Sequence, residues 1–158
     1  MTSDDPLLGK TLPAFDLPTD GDGRASNTDF AGKPLVLYLY PKDDTSGCTK
    51  ESQGFSEHYA EFQAAGAEVV GLSKDGVKSH DKFKAKYGFP FTLLADEETK
   101  LIDALGSWVE KSMYGRKYMG TDRSIFLIDG DGVIRHVWRK VKVPGHVEDV
   151  LKAVRAAA

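Results

Sequence analysis

The chain has 158 residues, enough for one domain, 1–158, with a core of its own and no need of cross-links. Its 21 basic and 24 acidic side chains leave a net charge of −3 with no basic arm, which argues against nucleic acid or a membrane surface as a partner. A single cysteine excludes an internal disulfide and any multi-cysteine metal cluster, and it fits a reducing compartment.

The start, Met1 to Asp5, lacks the basic and apolar segments of a signal peptide, and no apolar run is long enough to span a bilayer. A cytoplasmic location is the expectation. Phe15-Asp16-Leu17 and the region near Ala25 flank the turn signal Asp20-Gly21-Asp22-Gly23, which predicts an N-terminal β-hairpin. Asn27 or Thr28 caps a short helical turn ending at Gly32. Leu35 to Tyr40 is a continuous apolar run and reads as a buried strand. It leads through a polar loop to a helix with Phe55, Tyr59 and Phe62 on one face, stopped at Gly66.

Glu68 to Leu72 is a second buried strand. Lys78 or Ser79 opens an amphipathic helix that carries Phe83 and Tyr87 and closes at Gly88. Phe91 to Ala95 is a third strand, and Thr99 to Leu105 a short helix stopped by Gly106. Ser107 to Asp122 has no period of either kind and is expected to be a long loop, with Trp108 either packed near the site or a local anchor. Arg123 to Asp129 and Val133 to Lys140 form a hairpin about Gly130-Asp131-Gly132, and a last helix covers about His146 to Ala157. Strands alternating with helices predict an α/β fold with mixed strand directions.

Cys48 is the residue to explain. A lone cysteine is commonly a small buried hydrophobe, but this one follows Thr45, Ser46 and Gly47 and precedes Thr49, Lys50 and Glu51, a polar turn and not a periodic apolar stretch. It sits where a strand delivers the chain to a helix start. Unpaired N–H groups and the positive end of the helix dipole favour an anion there.

Pro41, Thr45 and Cys48 form the pattern P-x-x-x-T-x-x-C, which resembles the peroxidatic-cysteine loop of the peroxiredoxins. Tyr40-Pro41-Lys42-Asp43, Gly47-Cys48-Thr49, Glu110 to Gly115 and Arg123 to Asp129 are similar to motifs of the peroxiredoxin Q or bacterioferritin comigratory protein subfamily. The resemblance runs from about Leu12 onward and implies a thioredoxin-like fold: a mixed central sheet flanked by helices, with an N-terminal β-hairpin. It also implies antioxidant defence by a thiol peroxidase acting on hydrogen peroxide or small alkyl hydroperoxides, without metal, flavin or haem. A monomer or weak dimer is the expectation.

Such a reaction needs a thiolate that attacks one peroxide oxygen and groups that steady the charge spreading over both oxygens. Cys48 is the candidate nucleophile. The Thr45 hydroxyl can turn toward sulfur or peroxide, and the N–H groups of Gly47 and Cys48 are fixed donors, with Gly47 leaving the main chain open to substrate. Arg123, by resemblance, faces the thiolate, although spacing alone is equally consistent with an exposed charge at a strand start. Glu51, on nearly the same helical face as Cys48, is expected to orient Arg123 or else to be an exposed helix carboxylate. Pro41 shapes the loop and shields the thiol, and Tyr40 is core or pocket wall.

Two departures from the subfamily pattern stand out. Resolving cysteines of relatives align with Gln53 and Lys84 here, so the sulfenic acid at Cys48 would need an external thiol such as thioredoxin, glutaredoxin or glutathione. Ser46 replaces a common proline and can cap the helix start instead. The absent second cysteine also leaves open a redox sensor or thioredoxin-like binding module that oxidises once without turnover. His58, His80, His136 and His146 are scattered, without a metal pattern, and the basic run Arg135 to Lys142 reads as a solvated strand or a docking patch for a reductant.

Overall fold

The computed structural model describes residues 4–157. Met1, Thr2 and Ser3, read above as part of a start without a signal peptide, lie outside the described residues, as does Ala158. The strands β1 (Asp16–Pro18) and β2 (Arg24–Ser26) pair antiparallel around Asp20–Asp22, which gives the expected N-terminal hairpin. The central sheet has five strands: β3 (Leu35–Leu39), β4 (Glu68–Ser73), β5 (Thr92–Ala95), β8 (Ser124–Ile128) and β9 (Ile134–Trp138), in the order β5-β4-β3-β8-β9. The pairs of β3 with β4 and β4 with β5 are parallel, and β8 joins β3 and β9 antiparallel. This is the mixed sheet that the alternating pattern predicts.

The run Leu35 to Tyr40 is apolar throughout because both faces of β3 are covered. Val36, Tyr38 and Tyr40 point into one core with Phe55, Phe62 and Phe83, while Leu35, Leu37 and Leu39 point into the other with Phe126, Leu101 and Ile102. Helices α1 (Ser46–Glu57), α2 (Tyr59–Ala64) and α5 (His146–Ala157) supply Phe55, Phe62, Val147 and Val150 to the first core, and α4 (Lys100–Ala104) closes the second. Phe55 stacks on Tyr38 with ring centroids 4.6 Å apart, and its full burial contributes about 1.5–3 kcal/mol. The Tyr38 hydroxyl meets Ser52 Oγ at 2.9 Å, a second tie between β3 and α1.

Two expectations need correction. The helix after the loop does not run unbroken to Gly66; it bends at His58, although the bonds His58 N–H to Gly54 C=O and Phe62 N–H to His58 C=O carry the ladder across. The stretch from Ser107 to Asp122 is not a loop. It forms an antiparallel hairpin of β6 (Trp108–Met113) and β7 (Arg116–Thr121), joined by Tyr114 and Gly115, both at positive φ. No period marks it because most of both strands is exposed, so neither face had to be apolar. Its tight turn carries Tyr-Gly in place of the usual Asn-Gly or Asp-Gly.

Among the described residues no helix is long and apolar enough to cross a membrane.

Candidate active site

The sheet topology explains how residues far apart in sequence meet. β3 lies against β8 with Leu39 opposite Ser124, so the loop that leaves β3 passes beside Arg123 at the start of β8. That loop then enters α1, with Thr45 as the residue before its first turn and Cys48 inside that turn. Thr49 N–H gives the first bond of the helix to Thr45 C=O, at 2.8 Å. The N–H groups of Gly47 and Cys48 precede it and are oriented toward the helix start.

Cys48 is buried, 1% exposed, and the Arg123 guanidinium donates from Nη2 to its Sγ at 3.2 Å. From Nη1, Arg123 donates to Glu51 Oε1 at 2.7 Å. Glu51 is fully buried, so it is the partner of Arg123 and not an exposed helix carboxylate. Burial works against the Arg123 cation, but the charges of Glu51 and Cys48 outweigh it and hold its proton more tightly than on a free side chain. Burial pushes the Glu51 carboxyl up to about 7 despite the pull of Arg123, and its Oε2 has no partner among the described residues.

Gly47 stands against the arginine. A Cβ there would stand 3.3 Å from Arg123 Nη2, tighter than usual contact, so glycine leaves the room that the guanidinium occupies. Thr45 is exposed, and its hydroxyl donates to the Lys42 carbonyl at 2.9 Å, not to the sulfur. Pro41 is half-buried at the exit of β3. Trp108 packs with the second core and under Lys74 Nζ, 5.6 Å from the ring centroid, which makes it a local anchor and not part of the cysteine's surroundings.

A buried polar network holds the loop from the other side. Asp43 accepts from the Tyr40 hydroxyl at 2.6 Å, from Ser79 Oγ at 2.8 Å and from His80 Nδ1 at 2.7 Å. Ser79 and His80 belong to α3 (Val77–Tyr87), and Asp44 adds Lys86 and Tyr87 of the same helix as donors. The loop is thereby fastened to α3 by two adjacent carboxylates. His80 Nε2 meets the Leu94 carbonyl at 2.8 Å, so both ring nitrogens face oxygen acceptors. Burial opposes a charged imidazole, but the Asp43 carboxylate prevails and raises the His80 pKa.

Tyr40 is core wall, its hydroxyl held far above the usual range by burial. Sequence reasoning missed Asp43 and His80 as a pair, since 37 residues separate them and each alone is unremarkable. The positions of the absent resolving cysteines are plain as well: Gln53 is exposed on α1, and Lys84 of α3 donates to Asp20 at 2.7 Å.

The raised pKa of Glu51 has a measurable consequence for stability. Its folded value of about 7 exceeds the ordinary 4.5, so its contribution is fully present below 4.5 and is lost as pH rises through about 7. Glu51→Gln, which keeps an acceptor for Arg123, is expected to flatten that decline when unfolding by urea is followed across the window. An unchanged slope would show that Glu51 does not titrate there.

Residues 8–137 match the model of the AhpC/TSA family. The putative peroxiredoxin bcp of Coxiella burnetii is 49% identical over 144 residues, covering 91% of this chain and 95% of that one. Peroxiredoxin Bcp of Xanthomonas campestris is 45% identical over 156 residues, 98% of each chain. A structure of the X. campestris bacterioferritin comigratory protein, solved to address its alkyl peroxide reduction, superimposes with a TM-score of 0.87 at 43% identity over 90% of this chain and 91% of that one. The thioredoxin-like fold expected from the motifs is therefore the fold observed. By sequence over most of its length and by architecture, the chain belongs to the AhpC/TSA family and, within it, to the Bcp/PrxQ peroxiredoxins.

Proposed function

We propose that this peroxiredoxin reduces hydrogen peroxide and small alkyl hydroperoxides at Cys48, working with one cysteine and an external thiol. The observation that carries the reading is the Arg123 guanidinium 3.2 Å from the buried Cys48 Sγ at the first turn of α1. A permanent cation and oriented N–H groups at one sulfur stay in place while charge moves from sulfur onto oxygen.

The thiolate attacks the nearer peroxide oxygen. An S–O bond forms as the O–O bond breaks, sulfur gives up two electrons, and the far oxygen leaves as hydroxide or alkoxide and takes a proton to become water or alcohol. Thr45 Oγ1, whose own proton is committed to Lys42, accepts a hydrogen bond from the peroxide O–H. Glu51 holds Arg123 in line, Gly47 gives it room, and Pro41 and Tyr40 shape the wall. Cys48 is the chain's only cysteine, so thioredoxin, glutaredoxin or glutathione must supply the resolving thiol. We place this chemistry in the cytoplasm, in a monomer or weak dimer.

The test is to mix reduced protein with a small excess of hydrogen peroxide, trap sulfenic acid with a selective probe and locate it by mass spectrometry. Labelling confined to Cys48 and far faster than for a free thiol, followed by repeated turnover with a thiol reductant, is the expected result. Labelling no faster than a free thiol would overturn the reading. Oxidation that stops after one equivalent whatever the thiol would make the chain a redox sensor.

A further inference from the structure

All four large apolar side chains that are exposed among the described residues lie on one element, the β6–β7 hairpin: Met113 at 56%, Tyr114 at 99%, Tyr118 at 43% and Met119 at 50%. Concentration of this kind marks an interaction surface, whereas scattered exposed residues mark nothing. The hairpin forms a sheet of its own, so no other strand of this chain pairs with it among the described residues.

Register separates its faces. Val109 faces Gly120, Lys111 faces Tyr118 and Met113 faces Arg116, so these share one side. Lys111 and the Tyr118 ring close over Gly120, where an added Cβ would meet them at 3.1 and 3.3 Å. This side stands next to the active site without being part of it: β7 ends at Thr121 and the chain runs through Asp122 directly into Arg123, while burial, with smaller effects from Asp122, Arg123 and Cys48, lowers the Lys111 pKa. The hairpin also carries three basic side chains, Lys111, Arg116 and Lys117, against the single acidic Glu110, in a chain whose net charge is −3. Lys117 pairs with Glu110 at 3.7 Å across the strands, and in the basic run considered above as a docking patch Arg135 pairs with Asp129 and Arg139 with Asp5.

We propose that the side of the hairpin bearing Met113, Tyr118, Lys111 and Arg116, with Tyr114 at its tip, docks the protein that reduces Cys48: a dithiol protein whose contact surface is apolar with an acidic rim. The inference rests on the peroxidase reading and names the partner of the same site. A buried sulfenic acid with no internal resolving thiol needs a partner brought to one spot, and this is the apolar, basic surface next to that spot. The docked thiolate attacks Cys48 Sγ; an S–S bond forms as the S–O bond breaks, and hydroxide leaves and is protonated to water. The partner's second thiolate then attacks its own sulfur in the mixed disulfide, freeing the Cys48 thiolate and closing the partner's disulfide.

The experiment compares wild type with the triple variant Met113→Ser, Tyr114→Ser, Tyr118→Ser, and separately with Arg116→Glu, a single exposed change that the fold tolerates if the triple does not fold. Three rates are measured: sulfenic acid formation at Cys48 with hydrogen peroxide alone, turnover with dithiothreitol, and turnover with thioredoxin or glutaredoxin. The first two are expected to stay as in wild type, while KM for the protein dithiol rises tenfold or more with kcat kept. The defect of Arg116→Glu is expected to shrink as salt is added. An unchanged KM for the protein dithiol in both variants would overturn the proposal, as would wild type turning over with dithiothreitol and with neither protein. Failure of wild type to form sulfenic acid at all would instead sink the peroxidase reading beneath it.

Discussion

Arg123→Ala is expected to slow oxidation of Cys48 by about 10²–10³-fold, the cost of removing one fixed donor from a water-poor site where charge develops. Cys48→Ser is expected to abolish peroxide consumption outright. The arginine does two things from one plane: Nη2 donates to Cys48 Sγ at 3.2 Å, and Nη1 is fixed by Glu51 Oε1 at 2.7 Å. Alanine removes the cation beside Cys48 Sγ, which in the proposed mechanism is also the donor that follows the charge onto oxygen. It also leaves Glu51 buried with no counter-ion, so that carboxyl takes up a proton. Arg123→Lys should recover only part of the rate, because an ammonium is a point charge without the fork that reaches both partners. Single-turnover trapping of sulfenic acid at fixed pH gives the comparison, and an oxidation rate unchanged in Arg123→Ala would remove the residue from the site.

How much of this was legible in sequence depends on the range of each contact. The Leu35 to Tyr40 run announced a strand covered on both faces, and Gly66 and Gly88, both at positive φ, marked the ends of α2 and α3 because local backbone conformation writes itself into local sequence. The Cys48 turn was legible for the same reason. Glu51 came within reach through its place on the helical face of Cys48, but Arg123 only through motif resemblance, since nothing local says that β8 lies beside β3. The β6–β7 hairpin was illegible as a strand pair because its faces are exposed, and amphipathic alternation is a record of burial. The Asp43–His80 pair was hidden by separation alone: a histidine in an amphipathic helix and an aspartate in a turn each have an ordinary local explanation.

That hidden pair yields the largest expected change in stability. Asp43→Ala is expected to destabilise the fold by roughly 3–5 kcal/mol, the range for breaking a buried ion pair by removing one partner. Asp43 and His80 have side chains 3% and 0% exposed, so solvent cannot replace the lost carboxylate. The change strands three donors at once: the Tyr40 hydroxyl, Ser79 Oγ and His80 Nδ1. It also loosens the loop that leads into α1, so oxidation of Cys48 should slow along with the loss of stability. The pH dependence separates the ion pair from simple packing. Asp43 raises the His80 pKa above its ordinary 6.5, so the pair's contribution is fully present below 6.5 and is lost as pH rises through the raised folded value. Asp43→Asn keeps the size and one acceptor but not the charge, and it should cost less than alanine while removing that part of the slope. Urea unfolding of the three proteins on either side of that value makes the comparison. Parallel pH profiles for wild type and Asp43→Asn would mean that His80 is neutral in the fold, and that the loop is held by hydrogen bonds without an ion pair.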